Sequence, residues 1–179
     1  MIIGVLAAGV MFVEAAYPTL VPSFLVFQTW AIYFLAGCEV KTGIKGGACY
    51  ILGLVASMVI IELAGVFGGM GMANFALPTS VAIIATLIIL MEKVKPLDFI
   101  PGYFVASGGG FFAFFNVMGY GAQLKAGTFD KIAGYSNVFT VTLTCLAFGL
   151  FMGWLTVTLR NAYQNLLDRT GEATTEEKK

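Results

Sequence analysis

The chain has 179 residues, 59% of them hydrophobic and only 11% charged, with ten basic side chains, ten acidic ones and no histidine. An ordinary soluble domain is about 25% charged, and a soluble core of this size could not hide so much Leu, Ile, Val and Phe; the mean hydropathy of +0.89 points to lipid as the solvent and the bilayer as the first partner. A formal net charge of zero argues against a nucleic-acid partner, which would want a basic face, and the lack of histidine excludes a His proton relay, a His-ligated metal and a Ser–His hydrolytic site.

In chain order the sequence reads as six apolar stretches, roughly 2–17, 22–38, 44–67, 75–91, 97–119 and 136–159. A helix needs about 20 residues to cross ~30 Å of hydrocarbon. The predicted fold is therefore all-α: a polytopic membrane protein with six transmembrane helices in one domain over residues 1–165. The first stretch lacks the basic flank and small-residue cleavage site of a secretory signal, so it is expected to remain as a helix. From Ile2 to Cys38 the apolar run is too long for one crossing, and Pro18 and Pro22 mark where it turns, because proline removes a backbone donor and clashes with the preceding turn. Glu92-Lys93-Val94-Lys95-Pro96 divides the fourth stretch from the fifth. The tail, residues 166–179, is polar and expected to be disordered in the cytoplasm.

Charges sit at the seams. Lys41 and Lys45 follow the second stretch, Lys93 and Lys95 the fourth, and Arg160, Arg169, Lys178 and Lys179 the sixth, while only Lys125 and Lys131 fall on the other side. With six crossings the richer side is cytoplasmic and both termini lie there.

An internal repeat accompanies this plan. Tyr33-Phe34-Leu35-Ala36-Gly37 in the second stretch matches Tyr103-Phe104-Val105-Ala106-Ser107 in the fifth, and Cys49-x-x-x-Gly53-Leu54 in the third matches Cys145-x-x-x-Gly149-Leu150 in the sixth. Each match pairs a stretch with the one three later, so the halves would be inverted, an arrangement that places a transporter's solute site near the midplane between them. The prolines before the second and fifth stretches do not share the register of the tyrosines.

Few residues inside the stretches can carry chemistry. Ser107-Gly108-Gly109-Gly110 interrupts the fifth; each interior glycine costs about 1 kcal/mol relative to alanine, which fits either a broken helix lining a watery path or close helix packing. Packing is the commoner use of small residues, and the pairs Gly43/Gly47, Gly65/Gly69 and Gly149/Gly153 predict a tight bundle and an interface between copies in a homo-oligomer. Glu14 and Glu62 are the acids furthest inside apolar runs, both near the proposed outer boundary and without an evident basic partner in the membrane. They form either an acidic vestibule for a cation or a snorkelling pair. Phe104 and the run Phe111-Phe112-Ala113-Phe114-Phe115-Asn116 supply a hydrophobic gate or simply core, with Asn116, Thr140, Thr142 and Thr144 as polar groups for the bundle. Cys38, Cys49 and Cys145 match neither a disulfide framework nor a metal spacing, so no cofactor and no metal is expected.

Tyr33-Phe34-x-Ala36, Gly43-x-Lys45-Gly46, Phe99-Ile100-Pro101-Gly102-x-Phe104-Val105 and Leu146-Ala147-x-Gly149-Leu150-x-x-Gly153 resemble the small bacterial inner-membrane proteins of the YcdZ type, a family of unknown function. The segment Gly121 to Ser136 is longer than in that pattern. The resemblance implies a bacterial inner-membrane location and brings no substrate and no catalytic residues. An enzyme is not expected, since no nucleophile–base pair or metal cluster is present. The expected function is a channel or facilitator for a small uncharged or weakly charged solute, with substrate-contacting candidates Glu14, Glu62, Phe104, Ser107, Gly108, Gly109, Gly110 and Asn116. The competing expectations are a proton- or cation-coupled carrier using Glu14 or Glu62, and a non-transporting membrane subunit.

Overall fold

A computed structural model describes residues 1–72 and 74–176, with side chains to Arg169. These residues form α1 (Ile2–Ala16), α2 (Ser23–Leu35), α3 (Val40–Gly69), α4 (Ala76–Leu90), α5 (Ile100–Phe112), α6 (Tyr120–Ala126) and α7 (Lys131–Glu176). A short 3₁₀ turn, Met91–Lys93, extends α4, and a π turn, Ala113–Val117, extends α5. No strand occurs among the described residues.

Four helical segments are long and apolar enough to cross a membrane: Val40–Gly69, Ala76–Lys93, Ile100–Val117 and Lys131–Arg169. Large apolar side chains such as Phe12, Ile44, Leu87 and Phe151 stay at least half exposed on their outer faces, as lipid allows and water does not. This is a membrane-embedded protein. Helices α1 and α2, with 15 and 13 residues, fall short of the usual crossing length. They form a short hairpin. Its turn stops about a third of the way along α7, where Cys145 Sγ lies 3.8 Å from the Leu20 carbonyl oxygen and 4.0 Å from that of Pro22. Proline at 18 ends α1, because the residue before a proline is pushed out of helical conformation, and Tyr17 indeed sits at φ −135°.

The bundle is built from two intimate pairs, α3 on α5 and α2 on α7. Glycines make both approaches possible. A Cβ on Gly53 of α3 would stand 2.6 Å from Tyr103 Cα of α5, and one on Gly149 of α7 would stand 2.6 Å from the Val26 carbonyl of α2. Each pair is also tied by one hydroxyl: Ser107 Oγ donates to the Gly53 carbonyl at 3.0 Å, and Thr29 Oγ1 to the Cys145 carbonyl at 2.7 Å. Helix α4 covers α3, with Ile88 packed on Cys49 and Tyr103, and α1 leans on α7 and α2 through Val10.

The seams fall at opposite ends. Lys45 of α3 forms an ion pair with Asp98 of the α4–α5 loop, so these basic seams share one end. The start of α1 reaches the same end, where Ile2 and Ile3 line a cleft of about 470 Å³ with Thr156, Arg160 and Tyr163 of α7. At the far end Phe114 is enclosed by Phe115, Tyr120, Phe129 and Tyr135, with centroids 4.9–6.0 Å apart. Helix α6 is held there between Gly119 and Gly127, both left-handed at φ 65° and 70°, a conformation that favours glycine. Residues expected as a tail beyond Asn165 continue α7 as helix to Glu176; 177–179 lie outside the described residues.

Candidate functional site

The Ser107–Gly110 segment does not break. It lies within the continuous helix α5, and its glycines are used for contact. Gly108 faces open space, Gly110 meets Ser57 and Leu54 of α3, and at Gly109 helix α5 meets both α2 and α3. A Cβ on Gly109 would stand 2.8 Å from Tyr50 OH of α3, 3.0 Å from Gln28 Oε1 of α2 and 3.3 Å from Leu25 Cδ2.

Those two oxygens are the notable feature. Tyr50 is fully buried, the Gln28 oxygen is buried, and neither has a hydrogen-bond partner. They face each other over the bare backbone of Gly109, within two hydrogen-bond lengths. A buried polar atom left unpaired costs about 1–3 kcal/mol, so a fold that keeps two of them side by side carries a standing penalty. Around them the wall is apolar, with Leu25 and Ile32 of α2 and Leu54 of α3 all fully buried. Helices α2 and α5 carry no charged residue, and α3 carries only Lys41, Lys45 and Glu62. Lys45 is engaged by Asp98, and its ammonium holds the Asp98 carboxyl below the usual carboxylate range. The site is thus neutral, with one acceptor-only oxygen and one hydroxyl that both donates and accepts.

The acids read from the sequence are engaged elsewhere. Glu14 Oε1 accepts the Ser23 backbone N–H at 3.1 Å, placing a carboxylate on the N-terminus of α2, where the helix dipole favours negative charge. Glu62 does have a basic partner, contrary to the sequence expectation: Lys131 Nζ donates to it at 2.6 Å, and Tyr135 OH at 2.7 Å. That lysine precedes the sixth apolar stretch and comes into reach only because α7 starts well before it. Phe104 and Asn116 sit on exposed faces. Ser107 is buried and bonded to α3. Thr140, Thr142 and Thr144 do not bond across the bundle; each donates to the carbonyl one turn back on α7. The structure therefore brings Gly109 together with Gln28 and Tyr50, which the sequence reading missed. Both had a visible signal: an amide and a phenol in mid-stretch, away from the interfacial positions where such side chains are common.

No curated protein matches the chain, and no solved structure does. The family model described as "Protein of unknown function (DUF1097)" matches residues 1–161, and the chain belongs to that family.

Proposed function

We propose that the protein is a channel or facilitator that passes a small uncharged or weakly charged solute along the contact of α2, α3 and α5. The observation that carries this reading is the pair of buried, unpartnered oxygens of Gln28 and Tyr50 over Gly109. A purely structural subunit gains nothing from them. A coupled carrier would place an ionisable group at the midplane; here Glu14 is held by the start of α2 and Glu62 by Lys131 and Tyr135.

In this reading the chain crosses the bilayer six times as two inverted halves, α1 and α2 crossing with help from their flanking turns. The two tight pairs support the exchange, since α3 on α5 becomes α7 on α2 when each helix is replaced by the one three crossings away. The register of the exchange differs from the Tyr33/Tyr103 match. Gly53 meets Tyr103 and Ala106, whereas Gly149 meets Val26, Thr29 and Trp30, so α2 is shifted by about two helical turns, toward the alignment of the prolines. Lys41, Lys45, Lys93, Lys95 and Arg160 then face the cytoplasm with both termini, in the bacterial inner membrane that the YcdZ-type resemblance implies. Gly65 and Gly69 have nothing within 4 Å, a face suited to a second copy of the chain in a homo-oligomer.

Osmotic swelling of proteoliposomes tests this. Solute-dependent permeability is expected for small neutral compounds, insensitive to an uncoupler and unchanged in Glu14→Gln and Glu62→Gln. No permeability above protein-free vesicles across a broad panel would refute it, and uptake abolished by the uncoupler would favour the carrier.

A further inference from the structure

We infer that Gln28, Tyr50 and Gly109 form a recognition point for one small neutral molecule that both donates and accepts hydrogen bonds, of the primary amide, urea or short alcohol class. The inference rests on the facilitator reading and narrows its solute. Gln28 Oε1 only accepts, so it asks for an N–H or O–H; the Tyr50 hydroxyl, with no acceptor in reach, asks for an oxygen. A molecule with only acceptors, such as a ketone, would leave the amide oxygen unpaired. An ion would meet no opposite charge, because the lining helices α2 and α5 have none and Lys45 of α3 is paired with Asp98. Size is limited by crowding: even a methyl group at 109 would stand 2.8 Å and 3.0 Å from the two oxygens and 3.3 Å from Leu25, so only a very small molecule could be held there, with the side chains shifting to admit it.

If the halves are inverted copies, the counterpart place is packed without these groups. When Gly53 is laid on Gly149, and Tyr103–Ala106 on Val26–Thr29, the positions of Gln28, Tyr50 and Gly109 fall on Val105, Leu146 and Ile32. Those three side chains belong to one apolar cluster, which the ring of Tyr50 also joins. The same fold closes that place with hydrocarbon. Two unpartnered oxygens are retained together here, whereas the counterpart contact keeps only the single unpartnered Trp30 Nε1; paired polar groups kept at a cost in stability are the mark of a site.

The test combines two readouts on the full chain. Ligand-observed NMR in nanodiscs would compare acetamide with acetone, its acceptor-only counterpart, in the wild type and in Gln28→Leu, Tyr50→Phe and Gly109→Ala. Acetamide is expected to bind at least tenfold more tightly than acetone, and each variant to weaken it at least tenfold. Thermal unfolding of the same samples guards against misfolding, since Tyr50→Phe removes only an unpaired oxygen and Gln28→Leu replaces a carboxamide with its unpaired oxygen by hydrocarbon of similar size, so both should unfold at or above the wild-type temperature. Equal binding of both compounds, undiminished binding in the variants, or a clear loss of stability on removing either oxygen would overturn the assignment. So would a single tightly held water at Gly109 that no solute displaces. Acetamide binding without acetamide flux would uphold the site and remove the facilitator reading; flux undiminished in the variants would do the reverse.

Discussion

The close approach of α3 and α5 at Gly53 predicts a sharp contrast between two glycines of one helix. In Gly53→Ala the new methyl would stand 2.6 Å from Tyr103 Cα and nearer still to its carbonyl oxygen. Carbon atoms in contact prefer about 3.5–4.0 Å. The obstacle is backbone, which cannot rotate away, so the helices must part by roughly 1 Å. Overpacking of this kind costs about 1–3 kcal/mol. Parting also stretches the Ser107–Gly53 hydrogen bond, and an interhelical bond of that sort in a membrane is worth about 0.6 kcal/mol. Against this, alanine returns up to about 1 kcal/mol of helix propensity. The balance is a loss of about 1–3 kcal/mol, or roughly 3–10 °C in unfolding temperature for a chain of this size. Gly65→Ala is the control, since nothing lies within 4 Å of that position; it should unfold at the wild-type temperature or slightly above. Circular dichroism melts in mild detergent read both. Equal melting of the two variants would mean that α3 and α5 do not meet at Gly53, and the geometry at Gly109 would fall with that contact.

Other outcomes follow from individual contacts. Thr29→Val removes the hydroxyl that reaches the Cys145 carbonyl and should lower stability by about 0.6–1.7 kcal/mol, with Thr29→Ser recovering most of it in the same melts. The Glu62–Lys131 pair is well exposed, at 39% and 64% of the two side chains, so a double-mutant cycle with Glu62→Gln and Lys131→Met should give a coupling of no more than about 1 kcal/mol. Asp98 has its carboxyl held low by Lys45. Its contribution is then fully present above the ordinary carboxylate range, near pH 4, and is lost as pH falls through the lower folded value. Melts taken between neutral pH and about pH 3 should show this as an acid-side loss in wild type that is smaller in Asp98→Asn, the remainder coming from other paired carboxylates such as Glu62.

The helices and their order were largely legible because apolar runs bounded by charge and proline have few alternatives. Helix ends were less so. The sequence placed the sixth helix from 136, whereas α7 begins at Lys131, and that one extra turn is what carries Lys131 to Glu62. A partner from a distant segment leaves no local pattern to read. The Ser107–Gly110 run could be read either as packing or as a break, and packing was the favoured reading because it is the commoner use of small residues. Gly109 was identified and its neighbours were not, because an amide on α2 and a phenol on α3 meet only through the crossing of three helices. The two missed residues differ in kind from the acids that drew attention. Charge is conspicuous in an apolar sequence; a neutral oxygen becomes conspicuous only once its surroundings are known.

Glu14 shows another side of the same problem. Its compensation lies in the peptide groups that open α2, so the countercharge is spread over the main chain and belongs to no residue type. No point substitution of a cation can strand this acid. What would strand it is a change in the length of the Tyr17–Pro22 bend, which would swing the Ser23 amide off the carboxylate. Indels in that bend should therefore be tolerated far less well than exchanges of its side chains, an asymmetry opposite to the one usual for surface loops.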